Sequence, residues 1–272
     1  MPLPYGPVVG TCGFSYPAWR GHFYPPDLQP SGWLAFYAQV FEAVELDGTF
    51  YRPPALSTVT SWAAALPDRF AVAAKVPQAI THEARLAGEE AAGMLRAFAH
   101  ALAPLGDRLL AAVLQLPPSL GATEGRERLA RLLGERPRGL PVVVEVRHRS
   151  WDRPWLSRLL ADADAAPVLT HRPGEDPWPL LDGPLRYLRL LGERDAIPAI
   201  GTPLRDLGTD LDRWAARLGK AATGRRPAAA FANDTYEGAA FATAAALRRR
   251  LGQPTPEPRT RWPAPPLPGL EP

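Results

Sequence analysis

The chain has 272 residues, of which 46% are apolar and 22% charged, with a formal net charge of +3. Its composition is that of a soluble globular protein. No apolar run approaches the roughly 20 residues of a membrane span, and so small a charge does not by itself argue for nucleic acid. A single cysteine, Cys12, excludes an internal disulfide. Together with a start, Met1 to Tyr5, that lacks the basic flank and apolar core of a signal peptide, this gives a cytoplasmic protein as the expectation.

In chain order, Val8 to Thr11 reads as a first strand, followed by an aromatic loop carrying Phe14, Tyr16 and Trp19. Ser31 stands where it would cap a helix whose buried face carries Trp33, Leu34, Tyr37, Val40 and Phe41. The second strand is 43–46, a helix is expected over 57–66, and the third strand is 70–75. A helix over 89–105 leads to the fourth strand, 109–115, which Pro117 and Pro118 terminate. A helix over 126–133 is expected to stop at Gly134, ahead of the fifth strand, 142–146. A short helix over 155–161 precedes the sixth strand, 167–170, and the seventh is 186–190. Leu211, Trp214 and Leu218 mark a helix closed by Gly219. The eighth strand, 228–232, feeds a last helix over 236–251, with Asp234 or Thr235 as its cap. Eight strands alternating with helices spell a (β/α)8 barrel of the TIM type over 1–253, one α/β domain, with a proline-rich tail over 254–272.

Each strand ends in a polar group, and such barrels keep their sites at that end. Residues i and i+2 share a strand face, so Glu45 pairs with Asp47, and Glu145 with Arg147. A carboxylate packed against the helix layer would be costly, which turns these residues to the lumen. Lys75, Gln115, Arg189 and Asn233 fall at the same height, and Asp234, Tyr51, His82, His148 and Trp151 follow strand ends. Of 31 basic residues only Lys75 and Lys220 are lysines, which singles out Lys75, since lysine alone is compact and able to lose its proton. Glu145 and Glu45 read as an acid–base pair. Lys75 is a candidate catalytic residue, as Schiff-base nucleophile or general base; the preferred reading makes it, with Arg147 and Arg189, a clamp on an anionic, phosphate- or carboxylate-bearing substrate, with Gln115 and Asn233 orienting it. The alternative is an ion-pair network that fills the top of the barrel. No His-x-His, HExxH or cysteine cluster points to a metal, no cofactor is indicated, and no glycine-rich phosphate loop is present.

Seven segments carry a family resemblance: GTCGFSYPAWRGHFYP (10–25), FEAVELDGTFYRPP (41–54), FAVAAKVPQAITH (70–82), LQLPPSL (114–120), VEVRHRSW (144–151), YLRLLG (187–192) and FANDTYEGAA (231–240). In this order they resemble the domain of unknown function 72, or YecE-like, family, from about Val8 to Leu251. The resemblance implies a TIM barrel and leaves the reaction open. The chain departs from the family pattern at Asp47-Gly48, where Asn-Ser is usual, at Leu191, where a His often precedes the glycine, and at Ala232, which replaces the first Asn of a pair. The loss at Leu191 weakens a metal reading further.

The reading that follows is an enzyme, a hydrolase or lyase, working by acid–base chemistry on an anionic substrate. A metal-dependent phosphodiesterase or nuclease is a narrower version. A binder of a metabolite or of single-stranded nucleic acid, without catalysis, is the alternative from another class, with the loop aromatics stacking a base.

Overall fold

The protein is described here from a computed structural model, which covers residues 6–151, 153–175, 183–193, 197, 200–223 and 227–262. Eight parallel strands close into a ring in sequence order: β1 (Val8–Cys12), β2 (Ala43–Leu46), β3 (Ala71–Lys75), β4 (Leu109–Gln115), β5 (Val142–Glu145), β6 (Ala166–His171), β7 (Arg186–Leu190) and β8 (Ala228–Ala232). Around them run α1 (Trp33–Tyr37), α2 (Gly48–Tyr51), α3 (Leu56–Ala65), α4 (Gly88–Leu102), α5 (Ala122–Glu135), α6 (Arg153–Asp162), α7 (Gly208–Thr223), α8 (Asp234–Glu237) and α9 (Ala240–Arg250). The TIM-type barrel read from the strand–helix alternation is the fold observed.

Alternation along the strands separates two cores. One face meets the helices through Val44, Val72, Leu114, Val144 and Leu188. The other lines the lumen with small residues, Ala43, Ala71, Ala73, Ala111 and Ala229, which leave room for the rings of Tyr187 and Phe231, 5.1 Å apart. The lower lumen is thus dry and filled, and polar groups begin only above it.

Two ladders are short, for different reasons. Between β1 and β2 the Tyr37 hydroxyl is inserted: it accepts from Thr11 N at 2.9 Å and donates to Ala43 O at 2.9 Å. Between β5 and β6 only Val143↔Ala166 and Val144↔Pro167 pair, since Pro167 has no N–H with which to continue the ladder. Above that point the strands part, and the lumen-facing Val168 and Thr170 are half-buried rather than buried.

Several local expectations shift. Ser31 makes no cap: Gly32 holds that position and the helix ends at Tyr37. Gly134 does not stop α5, whose end is tied instead by the Arg136 guanidinium, 2.6 Å from Leu133 O. Gly219 lies inside α7. The last helix is split at Gly238, whose φ of +105° suits glycine. Asn233, not Asp234 or Thr235, caps α8, while Asp234 Oδ1 accepts from Ala240 N at the start of α9. The described part of the tail lies against the barrel: Gln253 Nε2 donates to Pro7 O, and Trp262 Nε1 to Phe23 O. Residues 263–272 lie outside the described residues. Among the described residues, no helix is long and apolar enough to cross a membrane.

Candidate functional site

At the C-terminal end of the barrel the strand alternation brings Cys12, Glu45, Asp47, Lys75, Gln115, Glu145, Arg147, Tyr187 and Arg189 to one place. Arg189 is its centre, and its side chain is 2% exposed. Nη1 donates to Glu145 Oε2 at 2.5 Å and to Gln115 Oε1 at 3.0 Å. Nη2 donates to Glu45 Oε1 at 2.8 Å and lies 3.7 Å from Asp47 Oδ1. Tyr187, two residues earlier on the same face, donates its hydroxyl to Glu45 Oε2 at 2.6 Å. One guanidinium therefore spans the gap between the glutamates of β2 and β5, the two residues that the sequence read as an acid–base pair.

The two glutamates differ in proton affinity for a visible reason. Burial pushes Glu45 up, and one guanidinium, opposed by the like charge of Asp47, does not bring it back. Burial acts on Glu145 too, but Arg189 and Arg147 together hold its carboxyl at about 2. Burial drives the Cys12 thiol well above its ordinary value, with Glu45 adding to the effect.

Cys12, Glu45 and Asp47 bring one ligand atom each within 4.8 Å of one another, a spacing that would suit a cation. The place is taken: Arg189 Nη2 lies against Glu45 and Asp47 and 4.0 Å from Cys12 Sγ. With a protonated thiol and a resident guanidinium, this trio does not fit a metal.

Above this buried layer stand two cations with donors to spare. Lys75 Nζ lies 3.5 Å from Asp47 Oδ1 and 4.5 Å over the ring of Phe50. Arg147 donates from Nε to Glu145 Oε1 at 2.7 Å, its side chain 25% exposed. Its terminal nitrogens have no hydrogen-bond partner among the described residues. α2 sets the Phe50 ring in place, because Thr49 Oγ1 lies 2.9 Å from Leu46 O and 2.7 Å from Lys75 O and so ties the ends of β2 and β3. His82 meets the same ring edge-on, with centroids 5.0 Å apart. Tyr51 is 67% exposed beside it.

The remaining predicted residues lie outside this cluster. Asn233 Oδ1 accepts from Thr235 N and Oγ1. Asp234 accepts from Trp19 Nε1 and Ala240 N, and burial raises its carboxyl to about 6. Trp151 is buried, donating to Leu120 O and packed on Gly125. His148 bonds Ser150, whose hydroxyl accepts from Ala122 N at the start of α5. These are bonds that build loops and helix ends. Sequence reasoning missed Tyr187 and Thr49. The i, i+2 relation of Tyr187 to Arg189 was the available signal for the first, and nothing local marked the second.

A closed (β/α)8 barrel whose polar groups gather at the C-terminal mouth defines the structural class. Within that class the chain belongs to the DUF72 family, described as a protein of unknown function, whose pattern it matches over residues 8–267. It is similar to a DUF72 family protein from Thermotoga maritima MSB8, at 25% identity and a TM-score of 0.72, over 90% of this chain and 99% of that one. A DUF72 family protein from Enterococcus faecalis V583 aligns at 19% identity and a TM-score of 0.68, over 91% and 98% of the two chains. SacUVDE shares the fold at 10% identity and a TM-score of 0.56, over 91% and 100%. No curated protein matches the chain.

Proposed function

We propose that the barrel mouth is the active site of a hydrolase or lyase that transfers protons on an anionic substrate. The observation that carries this reading is the pair of rim cations, Lys75 and Arg147, whose donors are not used up among the described residues. The anion clamp then has two members rather than three. Arg189 is engaged by Glu45, Glu145 and Gln115 and acts as a post beneath the site. Glu45 and Glu145 have both carboxylate oxygens bonded inside the network, so they serve as positioning residues. The carboxylate within reach of a bound anion is Asp47, 23% exposed beside Lys75, and we assign it the proton-transfer role.

Asp47→Asn tests the reading with a split outcome. It removes a negative charge that competes for Lys75, so anion binding tightens while turnover collapses by a factor on the order of 10²–10⁴. Wild type and variant are incubated with a mixture of organic phosphates and sugar acids, and consumption is followed by proton NMR. Turnover that survives Asp47→Asn, or an absence of anion binding in the wild type, overturns the proposal. A second reading, a binder of single-stranded nucleic acid, draws on the exposed ring of Tyr51 at the same rim. It predicts that Tyr51→Ala weakens binding to a short oligonucleotide with no chemistry to lose.

A further inference from the structure

His82 occupies an unusual stretch of backbone. It sits in a π-helical turn, Ala79–Glu83, that follows β3, and π turns are frequent at functional sites. Immediately after come two consecutive non-glycine residues in the left-handed region, Arg85 at φ +50° and Leu86 at φ +64°. Such backbone persists only where its surroundings over-determine it. Here the Arg85 side chain is held by Glu124, at 2.8 Å from Nε and 2.5 Å from Nη2, and by Ser119, while Arg128 Nη1 reaches Arg85 O at 3.4 Å. A strained hook is thus pinned to the start of α5, and His82 is what it presents.

The imidazole is fixed from two sides. Buried Thr81 places Oγ1 2.8 Å from Nδ1, and the Phe50 ring meets the imidazole at 85°. Nε2 has no hydrogen-bond partner among the described residues. The same Phe50 ring carries Lys75 on its face. Burial and the facing charges of Arg147, Lys75 and Arg85 lower the proton affinity of the imidazole, so it stands neutral at pH 7 while the site is empty. The charged groups around it are Lys75 from β3, with Asp47 alongside, Arg147 after β5, and Arg85 and the exposed Glu83 in its own segment.

The formal charges of the mouth already cancel: Lys75, Arg147 and Arg189 against Glu45, Asp47 and Glu145. An arriving anion leaves a negative excess, and the neutral imidazole is the neighbouring group able to offset it by taking a proton. The planar fork of Arg147 suits two oxygens of an anion, and Lys75 Nζ and His82 Nε2 suit others. A tetrahedral oxyanion provides enough oxygens for all three, whereas a carboxylate provides only two.

We propose that His82 completes, with Lys75 and Arg147, a seat for a phosphate or phosphomonoester group, and that its imidazole takes up a proton as the anion binds. This rests on the reading of the rim as an anion site. Its test is calorimetric titration of the full chain at pH 7.5, in two buffers of different protonation enthalpy, with sulfate, inorganic phosphate, methyl phosphate and dimethyl phosphate. Sulfate does not titrate in this range, so any proton uptake belongs to the protein. The expected result is uptake of a fraction of a proton, less than one half at this pH, per bound sulfate, with dimethyl phosphate at least tenfold weaker than methyl phosphate. His82→Gln abolishes the uptake and weakens sulfate about tenfold. In the wild type the NMR titration midpoint of the His82 ring rises by about a unit when sulfate is added, a readout that does not depend on the variant folding. A higher affinity for methyl phosphate than for inorganic phosphate assigns the seat to a monoester, and the reverse to the free ion. Binding without proton uptake, or uptake unchanged in His82→Gln, overturns the role of His82 and leaves the anion site standing. Binding that is absent from the wild type, or unchanged in Lys75→Met, overturns both.

Discussion

Two layers of the barrel mouth hold charges of the same kinds and use them differently. In the lower layer Arg189, Glu45 and Glu145 are buried and bonded to one another, with Tyr187 and Gln115 adding a bond each and only Arg189 Nε left without one. In the upper layer Lys75 and Arg147 each keep only one carboxylate partner and retain donors facing the opening. Depth decides the difference. A buried charge left without a partner costs several kcal/mol, so the lower layer pairs its charges. The upper layer has fewer partners: Arg147 is 25% exposed, and Lys75, though only 11% exposed, makes one ion pair at 3.5 Å, which leaves donors for a ligand. The contrast shows that a lumen-facing arginine at a strand end is not by itself a ligand for substrate; its neighbours one layer down decide.

The contrast breaks most sharply at Arg189. Arg189→Met leaves buried Glu45 without a cation in contact and Glu145 with Arg147 alone, and a loss of about 3–5 kcal/mol is expected, read as a drop of roughly 10 °C in the thermal midpoint. Tyr187→Phe removes one donor to a buried carboxylate and is expected to cost about 1.5–3 kcal/mol in chemical denaturation. Lys75→Met should fall on the other side of the divide. Its loss of stability is expected to be smaller than that of Arg189→Met, because one long ion pair to a partly exposed carboxylate is removed, while sulfate binding weakens tenfold or more in titration. If Lys75→Met proves as damaging to the fold as Arg189→Met, the two layers are one network and the distinction fails.

Acid sharpens the comparison within the lower layer. Glu145 titrates at about 2 in the folded chain against an ordinary value of 4.5. Its contribution to stability is therefore complete above the ordinary value and is lost as pH falls from there towards 2. Glu45, displaced upward, contributes with the opposite sign: its help is present below the ordinary value and fades as pH rises through its folded value. Denaturation of Glu145→Gln between pH 5 and 2 should show a flatter dependence than the wild type, and that of Glu45→Gln a steeper one.

All eight strands were legible from the sequence because a barrel strand buried on both faces writes a mostly apolar run with a polar group at or near its end, and β2, β4, β7 and β8 fall where those runs lie. Helix ends were less so. Gly134 and Gly219 look like stops, but nothing in the chain's own string says that Arg136 will tie off α5 or that α7 will pass through its glycine. At the site, the i, i+2 rule turned Glu45 and Glu145 to the lumen, and position at a strand end put Arg189 at their height. What it does not carry is reach. A guanidinium long enough to cross the lumen converts three separate candidates into one closed unit, and only coordinates show that crossing. Asp234 and Trp151 each follow a strand, yet Asp234 accepts from the start of the next helix and Trp151 donates to Leu120 O in the loop before α5.

The hydroxyl of Tyr37 gives one last consequence. The N–H of Thr11 and the carbonyl of Ala43 meet through it rather than through each other, so at this height the ring of strands is closed by a side chain. Phenylalanine would preserve every aromatic contact and still open the circle. At this position a phenol oxygen answers to the exacting demands normally reserved for main-chain atoms, and the mutational tolerance of Tyr37 should be that of a peptide group rather than that of a core aromatic.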